Sequence, residues 1–545
     1  IFDKIKSMKK IITAIVFCFL FSECFSQAGE WVWIKGSNVG NQPGNFGVQG
    51  VPGPANNPPG VYEPCEWIDL NGNLWILGGM NSNAEPYGDL WKYDPLSNEW
   101  TWMKGPGILN PLPVYGIQGV SSPLNNPGGT YYGVTSFIDL QGNLWMFDGR
   151  LWRYDISTNE WTWMKGSGWQ GVYGIQGVPD TANYPGGRSE CVSGWTDIAG
   201  DLWLFAGAGG FNQEPLNDLW RYTISTNTWT WMKGDSTVSG IGNYGTMGIE
   251  NAANNPPARY AYTNWKDSAG NLWFFGGGLY DSLGNRHTLN DLWRYNPVTN
   301  NWTWMSGSDT LDAAGIYGIK CNGDSSTIPG SRFESPAGIT DSNNDFWLFG
   351  GFSWPDGRND LWKYCVASGE WTWISGDSIG DPAGNGGTLG VSSPANKPDC
   401  RIGGVAWFDG NNHIYIFGGQ GLGGRYSDLW KYTIDTACGA CPIGTGTGEN
   451  NPPEADELFV FPNPANSSFT ISFSSAGSQI AELRIYNTLG NRVYFSEEES
   501  AAGKFEKEIN VEKWSSGIYF LSVWTPSERV KTGGRILSRK IVVSR

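Results

Sequence analysis

DLWKYDPLSNEWTWMKG (89–105) returns as RLWRYDISTNEWTWMKG (150–166), DLWRYTISTNTWTWMKG (218–234), DLWRYNPVTNNWTWMSG (291–307) and DLWKYCVASGEWTWISG (360–376). A sixth copy, DLWKYTIDTACGAC (428–441), stops before its Trp-Thr-Trp half. Ahead of each lies an apolar run usually closing on Gly: NLWILGG (73–79), NLWMFDG (143–149), DLWLFAG (201–207), NLWFFGG (271–277), DFWLFGG (345–351) and HIYIFGG (413–419). Apolar residues alternate at period two, so each unit reads as four short strands, not helices. Strand 1 ends near Asp69 in the first unit, a tight Asp-x-x-Gly turn leads to strand 2, and strand 3 carries Leu-Trp-Lys/Arg-Tyr. A tight Asn-containing turn leads to strand 4. A four-stranded sheet of this length cannot bury both faces alone, and radial packing of such sheets solves that.

The copy number follows from the ends of the repeat. The sixth unit lacks strand 4, and Trp31-Val32-Trp33-Ile34-Lys35-Gly36 is an orphan strand 4 near the start of the chain. The N-terminal strand is therefore expected to complete the sixth sheet and close the ring over residues 27–441.

The units resemble kelch repeats, the family that includes the central domain of galactose oxidase. The resemblance rests on the Gly-Gly after strand 2, the Tyr of strand 3 and the Trp of strand 4, and it covers residues 31 to about 436. It implies an all-β, six-bladed kelch-type β-propeller, and it leaves function open because such propellers host enzymes, adhesins and adaptors alike.

The 545 residues leave room for a second domain. Residues 442–457, PIGTGTGENNPPEADE, read as a linker, and 458–545 as about seven alternating strands, which suits a small immunoglobulin-like β-sandwich. Phe461-Pro462-Asn463-Pro464-Ala465, the turn Leu489-Gly490-Asn491-Arg492, the strand Gly517-Ile518-Tyr519-Phe520-Leu521 and a basic C-terminus resemble the sorting domain of the Bacteroidetes type IX secretion system. That resemblance implies the type IX machinery as a partner, a Gram-negative host, and a secreted or outer-membrane surface location.

The start of the chain agrees with export. Met8-Lys9-Lys10 followed by the apolar run Ile11 to Phe21 predicts a signal peptide over 8–26, with Ile1 to Ser7 as upstream sequence. The run is too short to span a membrane, so no transmembrane segment is expected in the mature chain. With 36 Lys+Arg against 52 Asp+Glu the net charge is −16, which argues against a nucleic-acid partner. Cleavage leaves Cys65, Cys191, Cys321, Cys365, Cys400, Cys438 and Cys441, an odd number. Cys438 and Cys441 are expected to form a local disulfide or to stay free.

Chemistry is expected on one face. Connections from strand 4 to the next strand 1 are long, those from 2 to 3 intermediate, and both fall on the same side of the ring. The long loops repeat among themselves (VYGIQGVSSPLNNPGG, VYGIQGVPDTANYPGG), which makes them an architectural cover rather than a binding surface. Four end in Arg188, Arg259, Arg332 and Arg401, and Glu190 and Glu334 follow two residues later, with Glu63 similarly placed in the first unit. On a strand such pairs share a face, so the arginines and glutamates read either as inter-blade salt bridges or as a polar pocket ringing the channel mouth. Trp169 and Trp354 fall outside the repeat, with Phe211 and Tyr280, and are candidate ligand contacts. No cofactor or metal is expected. His287, in a 2-to-3 loop, and His413, at the opposite turns, cannot share a copper ion. Asp69 to Asn73 superficially resembles a calcium loop but fits a hairpin turn. The reading is a binding propeller for a glycan or protein ligand; the alternative is a carbohydrate-active enzyme with Glu63, Glu190 and Glu334 as acid and base.

Overall fold

The computed structural model describes residues 27–166, 169–190, 194–210, 214–281, 283–335, 338–441, 459–461, 465, 467–475, 479–487, 492–500, 503–526 and 534–543. The expected signal peptide, the linker, Cys191 and Phe211 lie outside them. Two compact units divide between Ile443 and Gly444.

The described residues of the first unit form six larger antiparallel sheets, five of four strands and one of five, and a two-stranded hairpin, Gln420–Gly421 with Gly424–Arg425. Sheet I contains Cys65–Ile68, Leu74–Leu77, Leu90–Asp94 and Glu99–Lys104. Sheet II contains Thr135–Ile138, Leu144–Phe147, Leu151–Asp155 and Glu160–Lys165. Sheet III contains Gly194–Thr196, Leu202–Gly209, Glu214–Thr223 and Thr228–Lys233, with the short Arg188–Ser189 added. Sheet IV contains Thr263–Lys266, Leu272–Tyr280, Arg286–Asn296 and Asn301–Ser306. Sheet V contains Ile339–Thr340, Phe346–Ser353, Asp356–Cys365 and Glu370–Ser375. Sheet VI joins Val405–Phe408, His413–Phe417 and Leu429–Thr433 to the N-terminal Trp31–Lys35, which pairs antiparallel with Leu429–Thr433.

The core sits between sheets. Trp91 and Tyr93 of sheet I pack on Trp407 and Phe417 of sheet VI, and the other face of sheet I packs on Trp152 and Tyr154 of sheet II. Similar clusters join II to III, III to IV, IV to V and V to VI, so every sheet shares a buried layer with two neighbours in a propeller-like ring. Trp31 joins the last layer, with its ring 5.4 Å from Phe349 and 5.0 Å from Tyr432.

Outer strands are not left open. Each long loop folds back along strand 4 of the sheet it leads into, rather than lying on the face of the ring. The side-chain amides of Asn56, Asn125, Asn183, Asn254 and Asn396 donate to the carbonyls of Trp100, Trp161, Trp229, Trp302 and Trp31. Thr327 takes that role toward Trp371. This cover blunts the edges that would otherwise template aggregation. Gly47 (φ 63°) shows why the loop motif needs its glycine: a Cβ there would meet Asn56 Oδ1 at 2.2 Å.

The second unit has a three-stranded sheet (Phe459–Phe461, Ser468–Ser475, Gly503–Asn510) and a four-stranded one (Gln479–Asn487, Arg492–Ser500, Gly517–Pro526, Gly534–Val543). Phe469, Ile471 and Ile509 of the first and Leu483, Ile485, Leu521 and Val523 of the second share one core. Among the described residues no helix is long and apolar enough to cross a membrane.

Candidate functional site

The four arginines do not reach the channel mouth. Each is at most 2% exposed. Arg188 grips Asp218 through two bonds of 2.8 and 3.0 Å, Arg259 grips Asp291 at 2.6 and 2.8 Å, and Arg332 grips Asp360 at 2.7 and 2.9 Å. Arg401 reaches Asp428 at 2.5 Å and also pairs with Asp399. Asp218, Asp291, Asp360 and Asp428 open the repeated Asp-Leu-Trp segments. They also accept the strand-3 indole N–H, and three of them accept a loop tyrosine hydroxyl (Tyr173, Tyr244 or Tyr317). Meanwhile the Arg259 and Arg332 backbones bond to Leu216 and Leu289 of the preceding sheet. The arginine is thus an inter-sheet staple. Burial opposes ionisation of Asp360, yet Arg332 and the other donors hold its carboxyl below the usual range. Sheet I supplies the contrast: Val61 replaces the arginine, and burial pushes Asp89 up to about 6.

The glutamates lie elsewhere, because the chain does not stay extended between Arg and Glu. Glu63, Glu190 and Glu334 have φ of 51°, 53° and 52°, a left-handed kink that breaks the two-residue alternation. Gly133, Ala261 and Gly403 share this conformation in the alternate sheets (φ 52°, 52° and 58°). Backbone bonds link neighbours around the axis: Glu63 N–H to Gly403 O at 2.7 Å, Gly403 to Glu334 and Glu334 to Ala261 at 2.8 Å, and Ala261 to Glu190 at 2.7 Å. Glu190 N–H continues the ladder to Tyr132 O at 2.9 Å, one residue before Gly133, so the ladder carries Glu from sheets I, III and V, Ala and Gly from IV and VI, and Tyr132 from II.

The three carboxylates converge, each offering an oxygen within 4.8 Å of the others. Glu63 is 3% exposed, and Oε2 of Glu63 and of Glu190 has no hydrogen-bond partner. Tyr62 donates its hydroxyl to Glu334. Burial and then mutual repulsion push Glu334 up to about 8 and raise Glu63 well above the carboxylate range; burial also raises Glu190. Glu63 and Glu334 line a cavity of about 20 Å³, room for a water or an ion but not a sugar ring. An acid–base pair acting on a bound glycan does not fit that space. Below, Glu66, Ser136 and Asn264 line a wider channel of about 390 Å³.

Above the ring stands an aromatic–arginine collar. Strands 2 and 3 of sheets III to V run on as hairpins where loops were expected, so His287 sits in a strand, paired with Leu279. The hairpin of sheet IV carries Tyr280 and Arg286, and that of sheet V ends near Trp354. Tyr280 stacks on Tyr260 (5.6 Å), which contacts Phe333 (5.9 Å), then Phe352 (5.4 Å), then Trp354 (5.6 Å). Arg286 lies over the Tyr260, Tyr280 and Phe333 rings, and Arg425 over Tyr62 at 5.0 Å. Trp354 is 61% exposed and Trp169 46%. Trp169 lines a separate groove of about 430 Å³ with Pro111, Tyr131 and Arg150. The sequence reading missed Arg286 and Arg425 because they lie outside the repeated segments; the departure of two hairpins from the repeat was the available signal.

The remaining candidates resolve locally. His287 is held between Asp312 (2.6 Å) and Asp281 (3.3 Å), and His413 bonds Asp409 (2.7 Å). Asp69 accepts from Asn71, Asn73 and the Trp75 indole, which accounts for its turn without an ion. Cys438 and Cys441 are neither free nor joined to each other: they pair with Cys321 and Cys365, stapling the end of the unit to sheet V, while Cys65 and Cys400 are buried free thiols. The spacing of two cysteines could not reveal partners 117 and 76 residues away.

Residues 459–543 match the family described as the secretion system C-terminal sorting domain, and residues 70–101 match the Kelch motif. The matched kelch segment covers strands 2 and 3 and the start of strand 4 of sheet I. No curated protein matches the chain. The sorting domain marks the chain for export by the type IX secretion system to the cell surface or beyond.

Proposed function

We propose that this exported chain, with its kelch repeats and C-terminal sorting domain, is a closed six-bladed binding propeller that recognises a glycan or protein through the collar around its axis. The observation that carries the reading is the asymmetry of sheets IV and V. Where the repeat would end in a short loop, it extends into hairpins that set Arg286 over Tyr280 and link Tyr280 to Trp354 through a row of ring contacts with Tyr260, Phe333 and Phe352. Exposed aromatic rings with an adjacent guanidinium suit stacking on a sugar or anchoring a partner's side chain. Arg188, Arg259, Arg332 and Arg401 leave the binding list, since their guanidiniums are engaged within the fold.

The test is a glycan array and a surface-partner pull-down with the propeller unit, followed by affinity measurements. Trp354→Ala and Arg286→Ala should each weaken the ligand found by five-fold or more, and Trp169→Ala should report whether the separate groove takes part. Unchanged affinity in Trp354→Ala and Arg286→Ala would remove the collar from the account.

A further inference from the structure

Three acidic side chains on a propeller axis do not by themselves make a site. Two further observations point to a ligand here. The first is Oε2 of Glu63, which has no donor although the Glu63 and Glu190 carboxyls share a hydrogen bond, on a side chain 3% exposed whose carboxyl faces the other two. A buried carboxylate oxygen without a donor is costly, and ordinary folding would pair it or replace it. The second is the adjoining cavity of about 20 Å³, sized for one ion or water, lined by Glu63 and Glu334.

The surrounding positive charge does not satisfy the cluster. Among the described residues no lysine or arginine forms an ion pair with any of the three. Arg286 and Arg425 influence them from the aromatic faces on which they rest. The repeat also offers a cheaper residue, since sheets IV and VI place Ala261 and Gly403 at the same left-handed position of the ladder.

We propose that Glu63, Glu190 and Glu334 form a binding site for a single hard divalent cation of the calcium type on the propeller axis. All three donors are carboxylate oxygens, which select hard cations over zinc or copper. Three oxygens within 4.8 Å of one another share a centre no more than about 2.8 Å from each, so a small inward rotation of the side chains brings them to calcium's usual distance of about 2.4 Å. Each sheet of alternate parity supplies one carboxylate, and the adjoining cavity, lined also by Ser136 and Asn264, leaves room for water to complete the coordination. An exported protein meets calcium outside the cell, so affinity on the order of 10⁻⁴–10⁻³ M, as in extracellular modules, suffices. The assignment does not depend on what the collar binds.

Calorimetric titration of the chelator-treated chain with CaCl₂, then MgCl₂, at pH 7.5 tests it. The expected result is one calcium per chain, a raised melting temperature, and at least ten-fold weaker binding in Glu63→Gln and Glu334→Gln. Both variants should melt at or above the parent in chelator, because they remove like-charge repulsion, and should lose the calcium-dependent rise. No saturable calcium binding by the parent up to 10 mM (on the order of ten times the weakest expected Kd), or binding that both variants retain, would overturn the site. A variant that fails to fold is replaced by Glu190→Gln, judged by the same loss of calcium-dependent melting.

Discussion

Arg332 and Glu334 stand two residues apart, and both carry charge into the interior of the ring. Arg332 meets a bidentate aspartate and two backbone carbonyls. Glu334 meets two other carboxylates and one tyrosine hydroxyl. The same contrast holds for Arg188 and Glu190. Compensated charge recurs in sheets III to VI as part of the frame, whereas carboxyls without a basic partner, pushed toward their protonated form by burial, stand on the axis. Here the buried arginines are paired with aspartates inside the frame, whereas the buried glutamates face one another.

The largest effect expected concerns the frame. Removing residues 31–36 strips sheet VI of its outer strand, the buried Trp31 and Val32, and the ladder to Leu429–Thr433. Denaturant unfolding of the first unit should show a loss of about 5 kcal/mol or more. Melting like the parent would mean that the ring does not depend on its N-terminal strand.

Next come the staples. Asp291→Asn should cost about 3–5 kcal/mol, because it leaves Arg259 buried and unpaired. Asp89→Asn, in the sheet where Val61 replaces the arginine, should cost far less at pH 6 to 7, near that carboxyl's own midpoint. Equal costs would erase the distinction between stapled and unstapled sheets.

The axis should give a pH dependence of opposite sense to ordinary carboxylates. Glu334 is raised to about 8 in the fold, so the folded state holds its proton more tightly than the unfolded chain does. Its contribution is favourable below the unfolded pKa and is lost as pH rises toward 8. Glu63, Glu190, Tyr62, Arg286 and Arg425 face the same space and share the titration. In chelator, stability should therefore fall between about pH 5 and 8, and Glu334→Gln should flatten the slope. A parent with no such fall would mean the trio is better compensated than its contacts indicate.

The smallest effect on stability belongs to the collar. Trp354→Ala should change unfolding free energy by no more than about 0.5 kcal/mol, since most of the ring is in solvent.

Much of the frame was legible in the repeat. Trp-Thr-Trp, Asp-Leu-Trp and Gly-Gly fix strands, staples and turns because each recurs in a similar environment, and the orphan strand at 31–36 announced its own partner. The axis was legible only in part. Glu63, Glu190 and Glu334 were visible as residues, but the kink that turns them inward depends on φ, which an alternating pattern does not encode. Reading Arg and Glu on one face failed for that reason. The Cys321–Cys438 and Cys365–Cys441 links and the collar failed for another, since both join segments far apart in the chain.

The most direct test of the contrast is the unfolding of Arg332→Ala beside Glu334→Gln, at pH 8 in chelator, against the parent. The account predicts that Arg332→Ala loses about 3–5 kcal/mol, while Glu334→Gln is as stable as the parent or more so. If Glu334→Gln is the damaging change and Arg332→Ala the silent one, the glutamates belong to the frame and the account is wrong.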